Sequence, residues 1–246
     1  GITTRLIGGV IMTHGDDDGL RLPPAIAPRQ VVIVPILRDR PEDADVLAYA
    51  DGVAAELGAL SALGQPVRVL VDKRAGRSAD KRWEWVRRGA PIIVELGPRD
   101  ASGGQVTYIR RDRLWGEGER IASTSVPRAE FAAGLAAQLE AIQGGLHAEA
   151  QARLDANIRR DIKTFDDLAA FFGPAAEDED ANVTFKGWVR CAWSRPSGEA
   201  LEAVEQRLKT LKLTIRNAPL DQPETFSPCI FTGEPGVEEI LVARAY

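Results

Sequence analysis

Gln30-Val-Val-Ile-Val-Pro-Ile-Leu37 is an unbroken apolar, largely β-branched run closed by the charged turn Arg38-Asp-Arg-Pro41. A strand with one wet face alternates apolar and polar residues, so this run predicts a strand buried on both faces. A helix follows from Pro41, with Val46, Ala50, Val53, Leu57 and Leu60 stepping by three and four, and Gly64-Gln-Pro66 stops it. Residues 67–71 read as a second short strand, 77–88 as a basic helix ending at Gly89, and 91–96 as a third strand closed by Gly97-Pro98. Residues 105–109 alternate and predict a strand with one wet face. Pro127 opens a long helix with Phe131, Leu135, Leu139, Ile142 and Leu146 on one stripe. Strands alternating with helices define an α/β fold, a sheet covered by helices on both faces.

The composition shifts near Asp161. Thr164-Phe-Asp-Asp167 predicts a capped short helix ended by Gly173-Pro174, and an acidic loop follows at 177–180. Strands at 185–193, 213–216 and 240–245 and an amphipathic helix at 198–211 (Leu201, Val204, Leu208) make a small α+β domain, with Trp188, Trp193, Phe231 and Leu241 as core.

The chain has 246 residues, 44% apolar and 27% charged, which is ordinary for a globular protein. No apolar run approaches the roughly 20 residues that span a bilayer, and no signal-peptide pattern opens the chain, so no membrane partner is expected. Cys191 and Cys229 are the only cysteines, too few for a disulfide framework; a cytoplasmic, reduced setting is expected. The overall charge of −5 is uneven: from Pro66 to Trp115 twelve basic residues face six acidic ones, a net +6 that leaves −11 elsewhere. A basic module in an acidic chain suits local phosphate contact, and equally a solvated face with scattered arginines.

The chain opens on a small-residue turn, Gly1-Ile-Thr-Thr-Arg5, then an apolar stretch (Leu6, Ile7, Val10, Ile11, Met12), His14-Gly-Asp-Asp-Asp-Gly19 and Leu22-Pro-Pro24. It reads as though it continues a larger domain. Such a turn brings backbone N–H groups and one Arg close to an anion. Asp16-Asp17-Asp18 reads as a solvated turn capping backbone N–H groups, since three consecutive carboxylates rarely converge on one ion. Trp83 and Trp85, at i and i+2, cannot share a helix face, so at least one is core.

In this order the motifs resemble the third motif of prolyl-tRNA synthetases of the archaeal and eukaryotic type, with the linker and domain that follow it. The resemblance implies that Thr3 and Arg5 line the ATP site of a class II catalytic domain ending near residue 26. It implies an anticodon-binding α/β domain over 27–160 and a small terminal α+β domain over 161–246. It also implies ATP, magnesium and proline as substrates and cofactor of the whole enzyme, tRNA(Pro) as partner, and a homodimer formed through a catalytic part this chain lacks. The chain alone is therefore expected to be catalytically inactive.

The segment Trp83-Glu-Trp-Val-Arg-Arg88-Gly-Ala-Pro91 and the following Gly97-Pro-Arg-Asp100 resemble that family's anticodon-binding domain. A strand ending in Arg99-Asp100 sets a bidentate donor beside an acceptor, which suits the edges of an unstacked guanine; an ion pair inside a tight turn is the other reading. The proline anticodon offers two guanines. The family commonly has Glu and Arg where this chain has Val86 and Ile93, which implies that these positions touch and that one guanine loses a polar reader, its role passing to Arg87 or Arg88. The four-cysteine zinc pattern of the terminal domain falls on Ser194, Glu199 and the stretch from Cys229 to Thr232, one thiolate of the four ligands structural zinc needs, so no zinc is expected. The closing Ala243-Arg-Ala-Tyr246 matches the family's habit of ending on Tyr, implying a carboxylate tucked toward the catalytic part; an ordinary strand ending reads equally well. Two rivals remain. A non-catalytic tRNA-binding accessory module has no use for the Thr-Thr-Arg turn, and a flavodoxin-like domain needs a Gly- or Ser/Thr-rich loop where Arg38-Asp-Arg40 stands.

Overall fold

The computed structural model describes residues 3–173 and 186–244. Gly1, Pro174, the acidic loop at 177–180, Phe185 and Tyr246 lie outside the described residues. The chain divides into two compact units, 1–150 and 151–246, so the break falls inside the long helix rather than at 160/161, and residues 3–26 belong to the first unit.

The first unit begins with helix α1 (Arg5–His14), followed by β1 (Val31–Pro35), α2 (Asp43–Gly58), the short strands β2 (Ser61–Ala62) and β3 (Gln65–Pro66), and β4 (Val69–Val71). Then come α3 (Ser78–Arg87), β5 (Ile92–Leu96), α4 (Pro98–Gly103), β6 (Gln105–Arg110), β7 (Ser123–Pro127) and α5 (Arg128–Ala156). Five strands form one mixed sheet in the order β4-β1-β5-β6-β7. β1 pairs in parallel with β4 and β5, and β6 and β7 add antiparallel.

All five residues of β1 are buried, as its apolar run requires. Val31 and Ile33 point to one face and pack with Ala50, Val53 and Leu57 of α2 and Phe131, Leu135, Leu139 and Ile142 of α5. Val32 and Val34 point to the other, against Trp85 and Val86 of α3, Ile93, Ile109 and Leu114. The connection through α2 leads from β1 out to β4, and the one through α3 returns to β5 on the far side of β1. Adjacent parallel strands thus diverge at β1 and β5, opening a crevice at their carboxyl ends, where open α/β sheets bind ligands.

Three local expectations change. α2 stops at Gly58, because Leu63 and Gly64 adopt φ of 53° and 74° in the tight turn joining β2 to β3. β7 had no visible signal: Ser-Thr-Ser-Val-Pro has no apolar run, and four of its five residues are exposed at the sheet edge. Arg99 and Asp100 do not end a strand. They lie in the first turn of α4, where Pro98 occupies the first helical position and Gly97 precedes it in extended backbone.

The second unit holds β8 (Ile158–Arg159), α6 (Phe165–Phe172), β9 (Trp188–Trp193), α7 (Glu199–Thr210), β10 (Leu213–Asn217) and β11 (Glu238–Arg244), with sheet order β10-β11-β9-β8. Thr164 caps α6, its hydroxyl accepting the Asp167 N–H at 3.1 Å. The core takes Trp193 and Phe231, in edge-to-face contact with centroids 5.6 Å apart. Trp188 and Leu241 are only half-buried. Alternation along β11 turns Ile240 and Val242 inward instead.

Candidate nucleic-acid interface

The crevice at the carboxyl ends of β1 and β5 is a cavity of about 460 Å³ lined by Ile36, Arg38, Arg40, Glu42, Asp43 and residues 97–100. Its backbone is held by two carboxylates. Asp43 accepts the N–H of Arg38 at 2.9 Å and of Arg40 at 3.2 Å, fixing the turn into α2, in which Asp39 adopts a left-handed φ of 58°. Asp100 accepts the Gly97 N–H at 2.9 Å and the Thr107 hydroxyl at 2.8 Å, fixing the start of α4. Arg38, Arg40 and Arg99 are exposed, and their guanidiniums have no carboxylate partner among the described residues. Of the Arg99-Asp100 pair, the Arg is free to read a ligand while the Asp is occupied in holding the loop. The two do not pair with each other.

Arg88 lies elsewhere, at the end of α3. It pairs with Glu84 at 2.7 Å and its guanidinium lies over the Trp85 ring at 5.1 Å. It lines a separate cavity of about 300 Å³ with Leu22, Pro28, Arg29, Trp85 and Ala90. Trp85 is the core member of the tryptophan pair, its indole N–H donating to Asp72 at 2.8 Å, whereas Trp83 is half-buried against Trp115. Arg74 also donates to Asp72, and its hydrogen bond holds that carboxyl well below the usual range, against burial and with help from Trp85. Val86 and Ile93 are both fully buried in one apolar cluster, so neither position presents anything to a ligand.

The acidic run after α1 is more than a solvated turn. Asp16 does accept the Asp18 N–H, at 3.0 Å, but it also forms a two-pronged ion pair with the buried Arg111, whose Nε donates to the Val86 carbonyl at 3.0 Å. Burial opposes ionisation of Asp16, and the hydrogen bond and charge of Arg111 outweigh it, holding the carboxyl below its ordinary value. Asp18 accepts the Trp115 indole N–H at 2.7 Å. The Leu20 and Leu22 N–H groups donate to the carbonyls of Arg87 and Gly89. This approach is close enough that a Cβ on Gly19 would stand 2.6 Å from Arg87, and one on Gly89 2.7 Å from Leu20; both glycines have positive φ. The loop is thus bolted to the end of α3.

Thr3 and Arg5 stand at the start of α1, both exposed and remote in sequence from the crevice residues. No residue of α1 is buried, and Leu6, Ile7, Ile11 and Met12 are all exposed.

In the second unit the residues on the zinc-pattern positions do not fit that metal. The Ser194 and Thr232 hydroxyls hydrogen-bond each other at 3.0 Å. Burial pushes the Cys229 thiol up, but hydrogen bonds from Thr232, Ser194 and the backbone N–H groups of Phe231 and Thr232 bring it below its ordinary value. Burial drives Cys191 up to about 12. Among the described residues no three His, Cys, Asp or Glu side chains gather as a metal site, and no helix there is long and apolar enough to cross a membrane.

Residues 30–138 match the family model described as anticodon binding domain. The mixed sheet that forms the crevice therefore lies in a region similar to anticodon-binding domains. Over all 246 residues the chain is 56% identical to a proline–tRNA ligase of Sphingopyxis alaskensis and 52% identical to one of Sphingomonas elodea, spanning 45% and 47% of those proteins. A Giardia lamblia prolyl-tRNA synthetase, solved with prolyl-adenylate, superimposes with TM-score 0.76 at 25% identity over the whole chain and 48% of its own length. Over its whole length the chain is thus similar to proline–tRNA ligases, and it spans a little under half the length of these relatives.

Arg38, Arg40 and Glu42 escaped the sequence reading. The signal was present: a charged turn directly after a strand buried on both faces, at a point where the sheet order reverses.

Proposed function

We propose that this chain is the anticodon-reading portion of a cytoplasmic proline–tRNA ligase, which as a whole activates proline with ATP and magnesium and transfers it to tRNA(Pro). In this reading residues 1–26 close the class II catalytic domain, 27–160 bind the anticodon, and 161–246 are a terminal domain without zinc. The observation that carries it is Arg99, unpaired and exposed on a backbone fixed by Asp100, inside the crevice of a domain matched to anticodon binding. Arg99 donates to a guanine edge, whereas Arg88, held over Trp85 at the amino end of β5, contacts a different part of the tRNA. Asp100 positions Arg99. Thr3 and Arg5 contribute to the ATP site, where Arg5 and magnesium offset charge as the proline carboxylate attacks the α-phosphate. The enzyme is a homodimer through its catalytic part.

The test is binding of the 246-residue chain to an anticodon stem-loop of tRNA(Pro), by fluorescence anisotropy. Arg99→Gln is expected to weaken binding about tenfold or more, the worth of a good bidentate base contact. Affinity that stays the same when both anticodon guanines are replaced by adenines sinks the reading.

A further inference from the structure

Building on the anticodon reading, we propose that Glu42 is a specificity-determining residue, the carboxylate that accepts the N1–H and N2–H groups of a guanine held in the β1/β5 crevice. Arg99 supplies only donors, which satisfy O6 and N7 but leave the two N–H groups of the guanine edge without acceptors. A site selective for guanine over other bases needs a carboxylate or carbonyl beside that Arg.

Three carboxylates line the crevice: Asp43, Asp100 and Glu42. Both oxygens of Asp43 accept the Arg38 N–H, and one also accepts that of Arg40. Asp100 has one oxygen on the Gly97 N–H and the other on the Thr107 hydroxyl. Turning either toward a ligand would release the backbone at the start of α2 or α4, the segments that form the crevice walls. Glu42 is exposed at the residue preceding α2, and its carboxylate has no hydrogen-bond or ion-pair partner among the described residues. Of the three carboxylates it is the one that a base can engage without cost to the fold.

The charge balance points the same way. Three arginines and three carboxylates line the cavity, so it carries no net charge to hold a phosphate. It instead offers donors and acceptors side by side, which is what the edge of a neutral base with both presents. Its volume of about 460 Å³ admits one nucleobase with room for an ordered water.

The experiment uses inosine, which is guanosine without its 2-amino group. Stem-loops with inosine at each of the two guanine positions are titrated against the 246-residue chain and against Glu42→Ala. The chain is expected to bind the guanine form about tenfold more tightly than the inosine form at one of the positions. Glu42→Ala should bind both forms alike, and more weakly than the unaltered chain binds inosine, because inosine keeps the N1–H that Glu42 also accepts. Because Glu42 is exposed and bonds nothing through its side chain, the variant should match the parent in thermal melting. A Glu42→Ala chain that keeps the preference for guanine overturns the assignment, as does an unaltered chain that binds guanine and inosine equally. Both of these results leave the anticodon reading intact, provided Arg99→Gln still weakens binding. Indifference to guanine-to-adenine replacement at both positions overturns that reading, and this proposal with it.

Discussion

At the scale of single residues, the charges under the basic surface are shared, Arg74 pairing with both Asp72 and Glu84, and Glu84 also with Arg88. Asp72 has a buried side chain that receives two hydrogen bonds from the Arg74 guanidinium, one from the Arg74 backbone N–H and one from Trp85, and it ties the β4 end to α3. Asp72→Asn keeps an acceptor for the indole but loses the charge that holds Arg74. Arg74 is half-exposed, so solvent screens much of that attraction. The variant should therefore lose about 1–2 kcal/mol in urea unfolding at pH 7. The sign with pH follows from the depressed carboxyl. The parent's advantage is fully present above the unfolded Asp pKa of about 3.9 and is lost as pH falls toward the lower folded value. Unfolding midpoints of the two chains should converge as the pH drops below about 4. A gap that is the same at pH 3 and pH 7 would show that ionisation of Asp72 contributes nothing.

At the scale of elements, the loop joining α1 to the sheet is fixed by contacts that are distant in sequence. Arg111, its side chain 1% exposed, reaches Asp16 and the Val86 carbonyl at once. Arg111→Met takes from Asp16 its two-pronged partner and leaves only the longer pair with Arg21 at 3.6 Å and some access to water, so the expected loss is about 3 kcal/mol, at the low end for a broken buried pair. Trp115 reports the same event, because its indole N–H is bonded to Asp18 in that loop. Its emission should shift to the red in Arg111→Met at temperatures where the parent is unchanged, and an unshifted spectrum would mean the loop is held by its backbone bonds alone.

These contacts also mark how far the elements and site were legible. β1 was legible because burial on both faces leaves an unbroken apolar run, and α5 because one buried stripe recurs along its first five turns. β7 was not, since an edge strand with exposed side chains needs only backbone partners. Arg99 stood out as a charged residue after a buried strand. The occupation of Asp100 did not, because Thr107 comes from the next strand and only folding brings the two within 2.8 Å. For the same reason the pairing of Asp16 with a residue 95 positions away was hidden behind a plausible solvated turn.

At the scale of the whole molecule, the question is what a chain spanning a little under half of its relatives can do unaided. Of the residues tied to ATP by family resemblance, this chain contributes Thr3 and Arg5. Both are exposed at the start of α1, a helix with no buried residue. A single hydrogen bond from a charged group contributes about 1.5–3 kcal/mol, whereas even a millimolar dissociation constant needs about 4 kcal/mol. One Arg and one Thr therefore cannot hold ATP at useful concentrations, still less orient its α-phosphate for in-line attack. The crevice differs, because its arginines stand on backbone fixed by Asp43 and Asp100 and flanked by a packed sheet. The 246-residue chain should accordingly show no ATP–pyrophosphate exchange with proline, and no saturable ATP binding below about 1 mM, while it still binds the tRNA(Pro) stem-loop. Measuring exchange and stem-loop binding on one preparation tests this separation directly. Exchange above background would show that the ATP site is complete within these residues, and would move the catalytic assignment from Arg5 to a group that α1 does not carry.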